Sequence, residues 1–553
     1  MSQDASSFSR RGALRLTAGV GTAALAGPAL GSDGTKTASH QDPGNCTTPL
    51  SAIAQTQYGK VRGYLDGGVF TFKGVPYGQD TGGKNRWLPA KPPEPWQGEL
   101  HTLIYGPNCP QTLHDFKAIE TSFLFDWDDG YLGEDMLKLN IWTSSLSGKK
   151  PVMVYFHGGG FSFGSAYELP SHEGAQMARH HDVVQVSVNH RLNALGFLDL
   201  ADVGGPDYAQ SANVGMTDLV AALRWVRDNI ANFGGDPDRV MIYGQSGGGS
   251  KVTCLMGMPS AKGLFHAACV QSGGGGNFAD TDQSRALARQ LMIELGLTPN
   301  DIAGLQKTEW SRLYAAGQAA IAKVNGPLPP GAFFPPSSVR RAGWAPTMDG
   351  HVVPTRPFHD AAPELSKDIP LIIGSVSEEG YSYHSNPGET EWRANLAKTY
   401  GAEKANRLVD AMKAANPGKA IRTLSYGVAG LAQRNNVARM IGLKHAMGGA
   451  PVYQYWFTWQ SPQLDGIAGA WHTSELAFCF DNTKRCEQGT GNTPEAQALA
   501  RTMASAWASF AATGNPGHGW MPTDPTRMQT MIFDNKVRMV DDPQGDVRRI
   551  IKA

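Results

Sequence analysis

The chain has 553 residues, and its lysines plus arginines balance its aspartates plus glutamates at 49 each, so it carries no net formal charge. That length is enough for one very large domain or roughly two to three ordinary ones, and the lack of a basic or acidic bias argues against nucleic acid as a partner. Glycine and proline are spread throughout without a repeat period or low-complexity tract, which is the composition of a loop-rich globular enzyme.

The N-terminus differs from the rest. Ser9-Arg10-Arg11 and Leu14-Arg15-Leu16 precede an alanine- and glycine-rich stretch over residues 17–30, the pattern of a twin-arginine export signal. Residues 1–32 are therefore expected to be a signal, residues 33–52 a flexible lead-in, and the mature protein periplasmic or secreted. The stretch is short for a bilayer span and no later segment approaches that length, so no integral membrane span is expected after signal removal. In an oxidising compartment cysteines pair. Cys479 and Cys486 are expected to close a small loop, Cys46 and Cys109 form a second candidate pair, and Cys254 and Cys269 read as buried thiols.

Along the mature chain, residues 53–56, 60–63 and 69–77 are short and strand-like, and predict a small N-terminal antiparallel sheet. Residues 152–156 form a continuous apolar run of the buried-strand type. It ends at His157-Gly158-Gly159-Gly160-Phe161, where successive glycines leave backbone N–H groups open to receive an oxyanion. A further buried strand over 183–188 and an amphipathic helix over 217–230 lead to a strand at 240–243. That strand runs into Gly244-Gln245-Ser246-Gly247-Gly248, and a small-residue helix follows over 250–256.

A Gly-x-Ser-x-Gly at a strand-to-helix turn is a nucleophile elbow, and its glycines are needed because side chains there would collide across the turn. Ser246 is thus a candidate nucleophile. Strands over 267–271, 369–373 and 452–457 and a helix over 494–512 complete the pattern of a mostly parallel, helix-covered sheet. Helical insertions at about 279–365 and 388–450, the first with a proline-rich stretch at 325–336, are expected to cap a single domain over 53–553.

A serine nucleophile needs a histidine base, and the histidine a carboxylate. Downstream of the elbow, the strand at 369–373 leads to Glu378-Glu379-Gly380, and the strand at 452–457 is followed by Trp471-His472-Thr473-Ser474-Glu475. The residues alone do not choose between the adjacent carboxylates Glu378 and Glu379.

Together with Glu134-Asp135, Leu139-Asn140 and Phe233-Gly234-Gly235-Asp236-Pro237, these motifs resemble, in order, those of the type-B carboxylesterases. That family includes bacterial carboxylesterases, cholinesterases and the non-catalytic neuroligins. The resemblance covers nearly all of the chain from Ile53 onward and implies an α/β-hydrolase fold. It also implies Ser246 as nucleophile, His472 as base and then acid, Glu379 as the orienting acid with Glu378 a solvated neighbour, and Glu475 as a buried supporting acid. Gly159, Gly160 and Gly247 become the oxyanion donors. The implied activity is hydrolysis of a small-molecule carboxylic ester through an acyl-enzyme, with no cofactor and no metal. An amidase, carbamate hydrolase or lipase would use the same triad, and a neuroligin-like binding module would have lost it.

The sequence departs from the family pattern at Gln245, where glutamate is usual, at Gly247, where alanine is usual, and at Met136, where many members have the cysteine that pairs with the equivalent of Cys109. Phe161, Phe163, Gln245 and Phe278 are candidates to line the substrate site. Trp127, Phe333, Phe334 and Trp344 read equally as gorge or core, and His351, His384 and His445 as structural or exposed.

Overall fold

The computed structural model describes residues 46–113, 119–275, 278–326, 341–380 and 386–552. The chain divides into Met1–Asp42 and Pro43–Ala553, and all described residues belong to the second unit. The export-signal segment, residues 33–45 of the lead-in, most of the proline-rich stretch, Phe333, Phe334 and His384 lie outside the described residues.

The organising element is an eleven-stranded sheet. Its middle runs Gln529–Phe533, Val452–Phe457, Leu371–Val376, Ala267–Gln271, Gly235–Gln245, Lys150–Phe156 and Val184–Val188, with every neighbouring pair parallel. The flanks are antiparallel: Arg538–Asp541 on one side, and Lys138–Thr143, Val69–Pro76 and Tyr64–Asp66 on the other. Alternate strand residues feed opposite cores, as the two-residue repeat of a strand requires. Val152, Val154, Phe156, Val240 and Ile242 enter one hydrophobic cluster, while Met153, Tyr155, Met241 and Tyr243 enter the other with helix Pro494–Thr513. Burial on both faces explains why these strands are almost continuously apolar.

The N-terminal region is organised differently from the expectation. Ile53–Gln55 and Lys60–Arg62 do pair antiparallel, but the third member of their small sheet is Glu99–His101, added in parallel. Val69–Pro76 instead joins the large sheet beside Lys138–Thr143, with a register shift between Phe72 and Val75. Its buried residues Val69, Phe72 and Val75 find apolar surface there that a three-stranded sheet lacks.

Helices Thr281–Leu295, Ile302–Lys307 and Trp310–Asn325 follow the elbow region, and Glu389–Tyr400, Ala402–Ala415 and the long Ile421–Ala446 precede the strand Val452–Phe457. Among the described residues no helix is long and apolar enough to cross a membrane.

All six cysteines are free thiols, so neither expected bridge is present. The sulfur of Cys479 faces the core and accepts a hydrogen bond from Gln271 Nε2 at 3.1 Å. Cys109 is buried, with Leu192 N–H directed at its sulfur from 3.2 Å, whereas Cys46 is exposed. Proximity in sequence does not orient two sulfurs toward each other.

Candidate active site

The chemistry-bearing residues collect beyond the carboxyl ends of the parallel strands, where ligand sites of such sheets form. Ser246 stands between strand Gly235–Gln245 and helix Gly247–Gly257 with φ 58° and ψ −119°. A non-glycine residue in this region carries strain of about 1–3 kcal/mol. The turn is pinned: Ser246 N–H donates to Gln271 O at 2.8 Å, and Ser246 O accepts from Ser250 N–H at 3.1 Å. Glycine at 244 and 248 is a steric necessity. A Cβ on Gly244 would lie 2.5 Å from the Gly248 carbonyl carbon, and one on Gly248 would lie 2.0 Å from Phe156 O.

The neighbouring strand Lys150–Phe156 delivers the His157 to Gly160 loop to the same place. Gly247 meets this loop so closely that a Cβ on it would stand 2.3 Å from Gly160 N. The backbones of Gly160 and Gly247 are therefore adjacent beside Ser246, which lines a common cavity with both.

Glu379 follows strand Leu371–Val376, and its Oε2 is paired with His472 Nδ1 while Oε1 accepts from Val376 N–H at 3.2 Å. Burial by itself would lower His472. The charge and hydrogen bond of Glu379 outweigh it and hold the imidazolium above the ordinary histidine value. Glu378 is not a solvated neighbour. It is 3% exposed and accepts from Ala470 N–H at 2.9 Å and Gln460 Nε2 at 3.2 Å, with Lys419 Nζ at 2.8 Å. Glu378 N–H in turn donates to Ala470 O at 3.1 Å. The two adjacent carboxylates thus face different partners, Glu379 the imidazole and Glu378 the loop that carries it. Glu475 is fully buried, and burial first, then the charge of Glu379, pushes its carboxyl up to about 8.

Two cavities meet at Ser246. One, of about 570 Å³, holds His472, Gln245, Gly158, Gly159 and Gly160, with Phe125, Trp127, Phe163, Leu169 and Leu476 forming its apolar wall. The other, of about 510 Å³, contains Gly160, Phe161 and Gly247, and a more polar wall with Arg356, Gln433, Asn436 and Arg439 around Trp344 and Phe358. Phe161, Phe163 and Gln245 thus border the site. Phe278 does not; it is 4% exposed and packs into the main hydrophobic core. Among the described residues no group of three or more His, Cys, Asp or Glu is arranged to hold a metal.

Sequence reasoning passed over Glu168 and His172, which border the first cavity, and Lys251, which lies beneath its loop. The one signal for Lys251 was its place among small and apolar helix residues. Gln433, Asn436 and Arg439 come from Ile421–Ala446, a helix whose site-facing residues have no motif.

Comparison with known proteins agrees with this architecture. The model of the "Carboxylesterase family" matches residues 50–547. The chain is 30% identical to a para-nitrobenzyl esterase of Bacillus subtilis (strain 168), covering 90% of this chain and 98% of that protein. It is 32% identical to a phenmedipham hydrolase of Pseudarthrobacter oxydans, over 90% and 96% of the two chains. Among solved structures, an esterase from Clostridium hathewayi described as able to hydrolyze aliphatic aromatic polyesters superposes with a TM-score of 0.79 at 34% identity, covering 92% of this chain and 99% of that one. With an elbow serine, a glycine-rich loop beside it and the sheet of an α/β-hydrolase, this chain belongs to the carboxylesterase family and is a carboxylic ester hydrolase.

Proposed function

We propose that ester hydrolysis here runs through an acyl-enzyme on Ser246, with His472 as the proton carrier and Glu379 as its orienting acid. The observation that carries the reading is the strained elbow serine opening onto the same cavity as an imidazole already paired to a carboxylate. His472 takes the Ser246 hydroxyl proton as Oγ bonds to the ester carbonyl carbon, and the carbonyl oxygen becomes an oxyanion facing the N–H groups of Gly159, Gly160 and Gly247. Collapse breaks the bond to the alcohol oxygen, which leaves with the proton from His472. Water then repeats the sequence, releasing the acid and restoring Ser246.

This proton traffic sorts the two cavities. The leaving alcohol must receive its proton from His472, so it occupies the apolar cavity that contains that residue, and the acyl group extends into the polar one. The test is Ser246→Ala. Turnover of p-nitrophenyl esters should fall on the order of a millionfold, with loss of labelling by a fluorophosphonate; near-normal turnover would overturn the mechanism.

We also infer export of the chain, on the Ser9-Arg10-Arg11 pattern and the alanine-rich stretch behind it. Exchanging Arg10 and Arg11 for lysine should then leave the enzyme in the cytoplasmic fraction, and unchanged fractionation would count against export.

A further inference from the structure

Lys251 is a buried cation that the ester chemistry leaves without a task. It lies on helix Gly247–Gly257, five positions after Ser246, and its relative exposure is 0%. Lysine is almost never buried to this extent unless its ammonium is paired. The partners are backbone oxygens of the glycine-rich loop: Nζ donates to His157 O at 2.8 Å and to Gly158 O at 3.3 Å. The titratable groups facing it are Glu168, His157 and His190. Burial brings the Lys251 ammonium down to about 7, against the pull of Glu168. Burial likewise raises Glu168, and it holds both histidines below their ordinary value, neutral beside the lysine.

The placement has a directional consequence. In a trans peptide the C=O and the following N–H belong to one plane and point in opposite directions. The Gly158 carbonyl and the Gly159 N–H are such a unit. A lysine that holds the carbonyl on its own side turns that N–H away from itself, toward the cavity that Gly159 lines with Ser246. A hydrogen bond accepted at the carbonyl also polarises the amide and makes its N–H a stronger donor.

We propose that Lys251 is a positioning residue for ester hydrolysis: from beneath the loop it fixes and polarises the Gly158–Gly159 peptide, so that the Gly159 N–H is aimed at the carbonyl oxygen as it acquires charge. The proposal rests on the reading of Gly159 as an oxyanion donor.

Lys251→Met keeps most of the volume and removes the charge and the donor. Losing a whole oxyanion donor costs about a hundred- to a thousandfold, and misaiming one should cost about ten- to a hundredfold in kcat with KM changed less than about threefold. A trifluoromethyl ketone, whose adduct with Ser246 places an oxyanion against the loop, should lose affinity by the same factor as kcat, while the matching unreactive thioether that lacks the ketone should bind as before. Lys251→Gln, which retains one neutral donor, should recover part of the loss. Thermal melting run in parallel reports whether each variant is folded. A folded Lys251→Met enzyme with wild-type kcat and trifluoromethyl ketone affinity overturns the proposal, and so does an equal loss for both inhibitors, which would mark general distortion. If Lys251→Met does not fold, Lys251→Gln carries the test, and unchanged kcat in it overturns the proposal. Failure of the underlying triad is seen separately, as turnover that survives in Ser246→Ala.

Discussion

The side-chain nitrogen of Gln245 lies 3.2 Å from Nε2 and 3.4 Å from Nδ1 of His472. A donor aligned with one ring nitrogen in the plane of the imidazole would stand well beyond reach of the other, so the amide sits over the ring face. The residue beside the proposed nucleophile therefore touches the proposed proton carrier, with a neutral group where the family pattern leads one to expect a carboxylate.

Gln245→Glu should accordingly act on His472. A second carboxylate against the ring favours the imidazolium, so the acid limb of the pH profile of kcat/KM should move up by roughly one unit. Esters of cationic alcohols should gain relative to neutral ones of equal size. Profiles of both enzymes on one neutral p-nitrophenyl ester check the first expectation, and an unmoved limb contradicts it.

The unmodified enzyme carries its own pH signature. In the proposed mechanism His472 must be neutral to accept the serine proton, and Glu379 holds it above the ordinary histidine value. Activity should therefore rise with pH through a midpoint above that value. Glu379→Gln removes the charge, so the midpoint should fall, and kcat should drop on the order of ten-thousandfold as the imidazole loses its orienting partner. Stopped-flow or steady-state rates between pH 5 and 9, an interval of roughly two units on either side of neutrality, distinguish the two effects.

Gly247 is a place where alanine should not be neutral. Its Cβ would stand 2.3 Å from Gly160 N and 2.5 Å from Gly160 O, both backbone atoms that cannot swing aside. Gly247→Ala should displace the loop and lower kcat about ten- to a hundredfold, with a smaller effect on KM. A crystal structure of the variant, or the kinetic split alone, would show whether the loop has been displaced.

The apolar cavity wall gives a prediction on specificity. Phe125 and Trp127 stack with centroids 4.8 Å apart and planes 19° from parallel. Under the cavity assignment this pair faces the alcohol. Trp127→Ala should reduce kcat/KM for aryl and benzyl esters about tenfold, the effect of roughly 1.4 kcal/mol of lost aromatic contact, while methyl esters of the same acid change little. Equal losses on both series would reassign the cavity.

How much of this was legible in the sequence depended on how local each constraint is. The elbow was legible because Gly244 and Gly248 answer a steric demand within one turn, and the parallel strands because burial on both faces leaves an apolar run. Choosing Glu379 over Glu378 needed the family pattern, since the directions of two adjacent side chains depend on loop geometry. The role of Glu378, joined to Ala470 just ahead of His472, depends on a contact 92 residues away in sequence. Val69–Pro76 was recognised as a strand but its sheet was not, because edge pairing is decided by what surface remains uncovered. The contact of Lys251 was hidden for a similar reason: helix spacing does not say that a lysine faces a loop 93 residues earlier.

Because Ser246 borders both cavities, the proposed mechanism has its two half-reactions use them in turn. When the alcohol departs, the acyl group still fills the polar side, and the space beside His472 is the route by which the next nucleophile arrives. Water and any alcohol that fits among Phe125, Trp127 and Leu476 then compete for the same doorway. On that mechanism the aromatic wall that selects the leaving group also sets how readily the acyl-enzyme is diverted, so that an added aryl alcohol should yield a new ester in place of the free acid.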